Sequence, residues 1–536
     1  MKRIICILLL ATLLVSSFSA CELPPMYDAS TGGSNSTGGS NNTGGSNSTG
    51  GGSGTGPCTD KESHTDQNDD GLCDGCGRDV TVVLDLYAIN DLHGKLVDSD
   101  TQIGVDELTT YLKGESAKDD YSIIFSSGDM WQGSAESNLT EGFIITEWMN
   151  ELGFVSMTLG NHEYDWGEEP IRSNLALAEF PFLAINIYDR ATNERVDYCS
   201  PSVMVERGEL IIGIIGAIGD CYSSIASDKT EGIYFKVGSE LSALVKAESE
   251  RLRAAGADII VYSLHDGHGS SSSTAASVSD VALSSYFSAE LSRQGYVDIV
   301  FEAHTHQNYV LIDSAGVYHL QGGGENKGIS HVELTVNYVT DSVRVDTAAY
   351  VRSSTYASLS DDPVVEELLS KYDEQISPAY RVLGYNSRYR DYDTLCNTVA
   401  TLYYELGLAE WSEYDIVLGG GFLNVRNPYH LESGEVLYAD LQSLLPFDNQ
   451  IVLCSVSGYD LKYKFIETTN SNYYIAMGEY GESVAADIDL NATYYIVVDS
   501  YTSQYKYNNL TVVAEYDPTV FARDLLADYI ETGGFS

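Results

Sequence analysis

Five short apolar runs, each leading into side chains that can bind metal ions, constrain this chain more than any other feature. The runs are VTVVLDLYAI, YSIIF, FVSMT, ADIIVYS and YVDIVFEA. Apolar runs of this length, rich in β-branched and aromatic residues, predict buried strands. The side chains that follow them are Asp91, His93, Asp129, Asn161, His265, His304 and His306. Because α/β sheets gather functional groups at the carboxyl ends of their strands, the pattern predicts an α/β fold with one shared site.

These residue types suit a centre that holds two divalent cations. Two cations a few ångströms apart repel each other, and an anionic bridge such as Asp129, on a tight turn after Gly128, offsets the repulsion. Imidazoles and a neutral amide oxygen fill other coordination positions without adding excess charge. Residues two apart, such as Asp91 and His93, point the same way on an extended segment. One histidine alone is usually structural, but five strand ends of this kind predict a metal centre.

The ordered motifs DLH, GD, GNHE, H and HTH resemble those of the calcineurin-like metallophosphoesterases. Together with the downstream region they resemble the 5′-nucleotidase family, over residues 80–515. The resemblance implies a four-layer α/β/β/α sandwich followed by a second α/β (α+β) substrate-binding domain. It also implies two divalent metal ions, zinc, manganese or similar. One would be held by Asp91, His93, Asp129 and His306, and the other by Asp129, Asn161, His265 and His304.

His162 and Asp165, in GNHEYD, have a different predicted role. By the resemblance, His162 is a catalytic group that binds no metal and stabilises charge on the phosphoryl oxygens and the leaving group. Asp165 would orient it, since a His–carboxylate pair fixes the imidazole tautomer and favours the imidazolium. The implied reaction is attack on phosphorus by a water that the metals activate.

The C-terminal segments GGGFLNVR, LPFDN and VVDSYTSQY resemble the substrate domain of the same family. The glycines would let the backbone approach a ligand, Arg426 would grip a phosphate or ribose-bearing anion, and two aromatic rings would stack on a nucleobase. The first segment is two residues longer than the family pattern, and the usual Gly-Gly-Asp after the second aromatic is absent. The predicted substrate-binding residues are Gly420, Gly421, Arg426, Phe447 and Tyr501.

The N-terminus predicts export. MKRIICILLLATLLVSSFSAC has basic residues, a short apolar stretch and small residues, which is typical of a signal peptide over residues 1–20. Its end resembles a lipoprotein box with Cys21 as the lipid-bearing residue, and an ordinary signal peptide is the alternative. The Gly/Ser/Thr/Asn repeat that follows, within residues 21–57, predicts a flexible tether. Together these segments predict a cell-surface or periplasmic protein whose only membrane contact is a lipid anchor.

A short module at residues 58–79 has spacing typical of a metal site. Cys58, His64, Cys73 and Cys76 could hold zinc, because a CxxC pair with two further soft ligands is the usual closed arrangement. The same stretch contains DxNxDG, the opening of a calcium loop, but Gly77 stands where that loop needs glutamate. A disulfide or an acidic spacer is the alternative to either metal.

The formal net charge of −49 excludes nucleic-acid polymers as ligands, because 29 Lys and Arg residues cannot form a basic face. A small anionic substrate is compatible with this charge where bound cations reverse the potential locally. The predicted domains are residues 80–350 for catalysis, 351–380 for a linker helix opened by Asp362-Pro363, and 381–536 for substrate binding.

The predicted function is removal of phosphate from nucleotides by an extracytoplasmic dinuclear-metal phosphohydrolase. One alternative retains the metals but acts on 2′,3′-cyclic nucleotides, nucleotide sugars or other phosphoesters. Another is a catalytically inactive surface binding module. The intact set of seven metal-ligand residues argues against that last alternative.

Overall fold

The computed structural model describes residue 58 and residues 61–98, 103–118, 120–269, 276–277, 286–426, 429–478, 488–507 and 509–536. The predicted signal peptide, Cys21 and the tether lie outside these described residues. No helix in the described ranges is long and apolar enough to cross a membrane.

The strands of the described chain are numbered here in chain order. They are β1 Thr81–Ile89, β2 Ser122–Ser126, β3 Met157–Thr158, β4 Phe182–Leu183, β5 Ile187–Asp189, β6 Ser202–Arg207, β7 Leu210–Ile218, β8 Ile233–Phe235, β9 Ile259–His265, β10 Ala276–Ser277, β11 Ile299–Glu302, β12 Asn308–Ile312, β13 Tyr318–Gly322, β14 Gly328–Asn337, β15 Ser342–Arg352, β16 Val382–Asn386, β17 Ile416–Phe422, β18 Gly434–Leu437, β19 Ile451–Ser457, β20 Tyr473–Ala476, β21 Thr493–Asp499 and β22 Thr511–Glu515.

The helices are numbered in the same way. They are α1 Asp106–Ser116, α2 Ala135–Leu139, α3 Phe143–Glu151, α4 Glu168–Leu177, α5 Gly238–Ala254, α6 Tyr286–Arg293, α7 Pro363–Lys371, α8 Asp373–Ile376, α9 Tyr392–Glu410, α10 Tyr438–Leu444, α11 Gly458–Asp460 and α12 Ala522–Glu531.

Two sheets form the body of the N-terminal region. The first has the order β15-β14-β1-β2-β3-β4, and the second has the order β10-β12-β13-β11-β9-β7-β6. In the first sheet β1, β2, β3 and β4 run parallel, and in the second β7, β9, β11 and β13 run parallel. Strands β5 and β8 form a separate antiparallel pair.

Alternating apolar residues bury both faces of each sheet, because successive side chains on a strand point to opposite sides. On β1, Leu84 and Leu86 pack into a core shared with β9 and β11 of the second sheet. Tyr87 and Ile89 face the opposite side, into a core built with α1, α3 and α4. On β9, Tyr262 packs against α5 and α6 on the outer face of the second sheet. The predicted α/β/β/α order of layers is confirmed.

The C-terminal region has its own five-stranded sheet, ordered β20-β17-β21-β19-β22, and a separate β16–β18 pair. Leu453 and Val497 face a core built with α9, α10 and α12. Their neighbours Val452 and Ile496 face the other side, where Phe465 of the π-helical turn Leu461–Ile466 covers them. The predicted second α/β unit is therefore present.

The helix predicted between the two regions is α7. It begins after Asp362, whose carboxylate accepts a hydrogen bond from the Val364 backbone N–H and forms an ion pair with Lys113 at 2.9 Å. Leu368 is buried in the same core as α1 and α3. The helix thus packs on the N-terminal region instead of standing free between the two.

Candidate metal centre and substrate cavity

The loops that follow β1, β2, β3 and β11, together with the last residue of β9, meet at one edge of the two sheets. Ligand atoms of Asp91, His93 and His306 lie within 4.8 Å of one another. The same holds for Asp91 with Asp129 and His265. The prediction of one shared site at the carboxyl ends therefore matches the geometry of these strands.

The two remaining predicted ligands lie beside this group. Asn161 Oδ1 is 3.1 Å from His265 Nε2 and 2.9 Å from His304 Nδ1. The His304 backbone N–H donates to the Asp91 carboxylate, at 3.0 Å and 2.9 Å from its two oxygens. The structure thus brings all seven predicted metal-ligand residues into one cluster.

Most of these residues have an unusual backbone conformation. Their φ angles lie between 50° and 66°, in the left-handed region that L-residues rarely adopt, and they are Asp91, His93, Asp129, His304 and His306. Each such residue costs on the order of 1 kcal/mol of folding free energy, a cost that is typical of functional sites. The pairs two residues apart were predicted to lie on extended segments, and in the structure they do not. Left-handed turns aim their side chains inward.

Backbone carbonyls fix the tautomers of two of the imidazoles. His93 Nδ1 lies 2.8 Å from the Gln132 carbonyl oxygen, and His265 Nδ1 lies 2.7 Å from the Ser127 carbonyl oxygen. A carbonyl only accepts, so in the neutral ring Nδ1 carries the proton and Nε2 presents a lone pair to the site.

His265 faces the Asp129 carboxylate. His265 Nε2 is 3.1 Å from Asp129 Oδ2, and both groups are buried. Burial opposes the charged form of His265, but the Asp129 carboxylate outweighs it and raises the pKa of His265 to about 10. A buried carboxylate that attracts positive charge in this way is suited to hold cations.

The ionisation of the cluster fits the same conclusion. Burial lowers the pKa of His304 to about 4 and the pKa of His306 to about 3, so both rings are neutral at pH 7 and free to coordinate. Burial, together with the repulsion of Asp129, raises the pKa of Asp91 to about 7. The concentration of oxygen and imidazole donors fits divalent cations such as zinc or manganese.

His162 and Asp165 form the predicted pair at the margin of the cluster. His162 Nδ1 lies 2.8 Å from Asp165 Oδ2, and the His162 backbone N–H donates to Asp129 Oδ1 at 2.8 Å. Burial opposes the charged form of His162, but the Asp165 and Asp129 carboxylates outweigh it and raise the pKa of His162. The ring is therefore oriented as an imidazolium beside the metal ligands.

Two positioning residues were not predicted. Glu163 is buried, and its carboxylate accepts backbone N–H groups of Asp129, Met130 and Gly160 at 2.9, 2.8 and 2.6 Å. Asn90 is also buried, and its side-chain amide donates to the Asp91 carboxylate. Both residues stand in the motifs themselves, GNHE and NDLH, so their places were visible although their roles were not.

One cavity of about 440 Å³ adjoins the metal-ligand cluster and is lined by both regions of the chain. From the N-terminal region its lining includes Asp129, Asn161, His162, Asp165, His304 and His306. From the C-terminal region its lining includes Phe422, Asn424, Arg426, Phe447, Asn449, Asp499 and Tyr501. Of these, Phe422, Asn424, Asn449 and Asp499 were not predicted.

Arg426 and Phe447 stand next to the catalytic pair. The Arg426 guanidinium carbon lies 5.4 Å from the centre of the Phe447 ring, which stacks on His162 at 5.7 Å. Among the described residues, no carboxylate forms an ion pair with Arg426. An unpaired guanidinium facing the metal cluster is suited to bind an anion.

Tyr501 lies in the same cavity with a different ring neighbour. Its ring centre is 5.9 Å from that of Phe422, and Lys506 Nζ lies 4.5 Å from the Phe422 ring centre. Phe422 is an aromatic wall of the cavity that was not predicted, and it directly follows Gly421.

The glycines of β17 have neighbours on the protein side. A Cβ on Gly420 would lie 2.2 Å from the Tyr474 carbonyl oxygen, and a Cβ on Gly421 would lie 2.7 Å from the Thr502 methyl group. Neither glycine is among the residues that line the cavity. In this structure the glycines allow close packing of β17, and their predicted part in substrate binding stays a prediction.

The predicted accessory ligands also lie together, far along the chain from the cavity residues. Ligand atoms of Cys58, His64, Cys73 and Cys76 are within 4.8 Å of one another. Their sulfurs form no disulfide.

Comparison with known proteins places this geometry in context. Residues 84–308 match the family described as calcineurin-like phosphoesterase. Endonuclease YhcR of Bacillus subtilis (strain 168) is 24% identical over 420 residues, covering 71% of this chain and 32% of that protein. The 5′-nucleotidase of Vibrio cholerae serotype O1 is 27% identical over 241 residues, covering 43% of this chain and 41% of that protein. The alignments thus span well under two thirds of these relatives.

A solved structure shares the fold over a longer range. The 5′-nucleotidase precursor from Thermus thermophilus superimposes with a TM-score of 0.66 at 17% identity, covering 84% of this chain and 96% of that one. The family match runs from β1 to the start of β12, the part that carries the metal-ligand cluster. This chain therefore has a calcineurin-like metallophosphoesterase domain and is a homologue of the 5′-nucleotidases.

Proposed function

We propose that this protein is an extracytoplasmic, dinuclear-metal phosphohydrolase that removes phosphate from nucleotides. The observation that carries the proposal is the single cavity in which a metal-ligand cluster, an unpaired arginine and aromatic rings meet. A nucleotide needs each of these: cations for its phosphate, a guanidinium for its charge and an apolar face for its base.

The seven clustered side chains would hold two divalent cations, with Asp129 as the shared ligand. When bound, the cations supply charge neutralisation at the phosphoryl group and make a water nucleophilic at neutral pH. The protein contributes the fixed geometry. Glu163 holds the Asp129 turn through three backbone N–H groups, and Asn90 holds the Asp91 carboxylate.

His162 would stabilise negative charge on the phosphoryl oxygens and protonate the leaving group. Asp165 keeps the Nδ1 proton in place, so that Nε2–H faces the cavity. Arg426 lies close enough to act on the same anion, since its ring neighbour Phe447 stacks directly on His162. Phe447 and Tyr501 would offer stacking faces to a nucleobase, with Phe422 beside Tyr501.

Two observations support a nucleotide as the substrate: the lining of the cavity and the similarity to a 5′-nucleotidase and an endonuclease. A 5′-nucleotidase and an endonuclease both hydrolyse phosphoesters of nucleotides, and the first fits the charge of this chain better. With a net charge of −49, polymeric nucleic acid would be repelled everywhere except at the cations. Cyclic nucleotides and nucleotide sugars remain the second candidates, because the C-terminal motifs depart from the family pattern.

The wider organisation is also a proposal. We assign residues 1–20 to a signal peptide, 21–57 to a tether anchored through a lipid on Cys21, and 58–79 to a metal-binding module. Residues 80–350 would form the catalytic domain, 351–380 the linker and 381–536 the substrate domain. Metabolic labelling with palmitate, compared between the natural chain and Cys21→Ala, tests the anchor.

The function is tested by phosphate release from a panel of substrates. AMP, 2′,3′-cyclic AMP, UDP-glucose, an aryl phosphate and single-stranded DNA are compared with and without chelator, followed by metal replacement. We expect AMP to be the best substrate, with activity lost to the chelator and restored by metal. Turnover of the aryl phosphate alone would contradict the nucleotide assignment, and no turnover at all would favour a binding module.

A further inference from the structure

Outside the cavity, the strongest unexplained feature is the cluster of three cysteines and one histidine at residues 58–76. We propose that Cys58, His64, Cys73 and Cys76 bind one structural zinc ion, which fastens residues 58–76 to the end of the sandwich opposite the metal centre. The proposal is independent of the catalytic function.

The distances fit a tetrahedral zinc site. With zinc–sulfur bonds of about 2.3 Å and zinc–nitrogen bonds of about 2.0 Å, tetrahedral ligands lie about 3.8 Å apart for two sulfurs and about 3.5 Å apart for sulfur and nitrogen. Cys58 Sγ and Cys73 Sγ are 3.7 Å apart, and Cys76 Sγ is 3.6 Å from His64 Nδ1. The separation of Cys58 and Cys73 is far beyond a disulfide bond of about 2.0 Å.

Burial and an aromatic contact hold two of the proposed ligands in place. His64 and Cys73 are buried, and His64 meets the edge of the Tyr338 ring at 6.3 Å.

The calcium interpretation of the same stretch fails on its carboxylates. Asp66 accepts hydrogen bonds from the backbone N–H groups of Asp70 and Gly71, and its Oδ2 accepts from Asn337 at 2.7 Å. Asp70, the other carboxylate of that motif, accepts hydrogen bonds from the Asn68 amide at 2.8 Å and the Leu72 backbone N–H at 3.0 Å. Asp69 lies between the ligand positions of the motif and accepts the hydroxyl groups of Thr340 and Ser342 at 2.8 Å each. These carboxylates are occupied within the module and in docking it, so they are unsuited to form a calcium cage.

The docking contacts reach both sheets. Asn337 and Ser342 belong to β14 and β15 of the first sheet. On the other side, Lys61 forms an ion pair with Asp258, directly before β9 of the second sheet, and donates to the Glu209 carbonyl oxygen at 3.1 Å. The module therefore bridges the two sheets where the polypeptide enters the fold.

This location is remote from the metal centre. The module precedes β1, whereas Asp91 follows the nine residues of that strand. At about 3.3 Å per residue the strand separates the two by about 30 Å. Loss of the module should therefore change stability and attachment without changing the chemistry.

Cobalt substitution of the full chain tests the site directly. Cobalt bound to thiolates gives a charge-transfer absorption in the near ultraviolet, and the proposed dinuclear centre has only oxygen and nitrogen ligands. We expect the band in the natural protein and its loss in Cys73→Ser/Cys76→Ser. The matched control is Cys221→Ser, because the Cys221 thiol lies beside His265 and His304. That variant should retain the band.

Metal content and stability complete the experiment. The double variant should contain about one zinc fewer per chain than the natural protein. It should also unfold at a temperature several degrees lower, with kcat on its best substrate unchanged. If the variant does not fold, the cobalt spectrum of the natural protein still shows whether thiolates bind the metal ion. Absence of the band there, or a native disulfide among these cysteines by intact mass, overturns the proposal.

Discussion

The two regions that line the cavity differ in how firmly their residues are held. On the N-terminal side, ligands such as Asp91 and Asp129 are fully buried, have left-handed backbone and are gripped by neighbours such as Asn90 and Glu163. On the C-terminal side, Phe422, Arg426 and Tyr501 are only partly buried. The difference teaches that this fold holds the proposed metal ligands more firmly than the proposed substrate-binding side chains.

The largest effect should come from the shared ligand. Asp129→Asn keeps the shape but halves the carboxylate oxygens available to the two cations, so we expect activity to fall to background. Metal analysis of the same variant should show lower occupancy of this centre, with the zinc proposed at residues 58–76 retained. Activity above a tenth of that of the natural protein would contradict a bridging role and weaken the contrast between the two regions.

Removal of the imidazole should have the next largest effect. His162→Ala should lower kcat by about 10²–10⁴-fold, the range for a general acid, with metal content unchanged. Steady-state kinetics with AMP and with an aryl phosphate measure it. The loss should be smaller for the aryl phosphate, because its leaving group needs less help from protonation. A rise in KM for AMP with kcat unchanged would instead place His162 in recognition.

The orienting carboxylate gives a prediction of pH dependence. In the proposed mechanism His162 acts as an imidazolium, so we expect activity to persist below its raised pKa and to be lost as pH rises through that pKa. Asp165→Asn removes the first carboxylate that raises this pKa. The alkaline limb of the kcat profile should therefore move to lower pH, and kcat at neutral pH should fall by about 10–100-fold. An unchanged limb would assign it to another group.

The smallest effects should lie on the recognition side. Tyr501→Ala should raise KM for AMP by about tenfold, since stacking on a base is worth about 1–3 kcal/mol, and leave KM for aryl phosphate unchanged. Phe447→Ala is the informative companion, because that ring also stacks on His162. It should affect both substrates. Equal effects of the two variants on both substrates would remove the distinction between a base platform and a support for the catalytic pair.

The sequence was most informative where residue type alone decides the chemistry. Carboxylates and imidazoles after apolar runs predicted the layers, the shared edge and the ligand cluster. This prediction is independent of loop conformation, because the carboxyl ends of parallel strands lie at the same edge of a sheet. Backbone conformation was not predictable in the same way. The amino-acid sequence does not show that His304 and His306 would have left-handed φ angles, because these angles depend on tertiary packing.

The C-terminal side was predicted less well for a related reason. A glycine run suggests close approach but does not say to what, and at Gly420 the approaching atom is the Tyr474 carbonyl oxygen instead of a ligand. Phe422 also lines the cavity, although no motif in the sequence marked it. Positions of this kind depend on which elements pack together, and single-sequence patterns carry little of that information.

The left-handed turns have a consequence for the stage at which the enzyme binds its metal ions. Because packing holds them in place by hydrogen bonds within the polypeptide, the cage should be complete before any ion arrives. Ions could then be exchanged in a finished protein without refolding it. A chain secreted through a membrane in an unfolded state would, on this basis, acquire its activity from whatever divalent ions its destination provides.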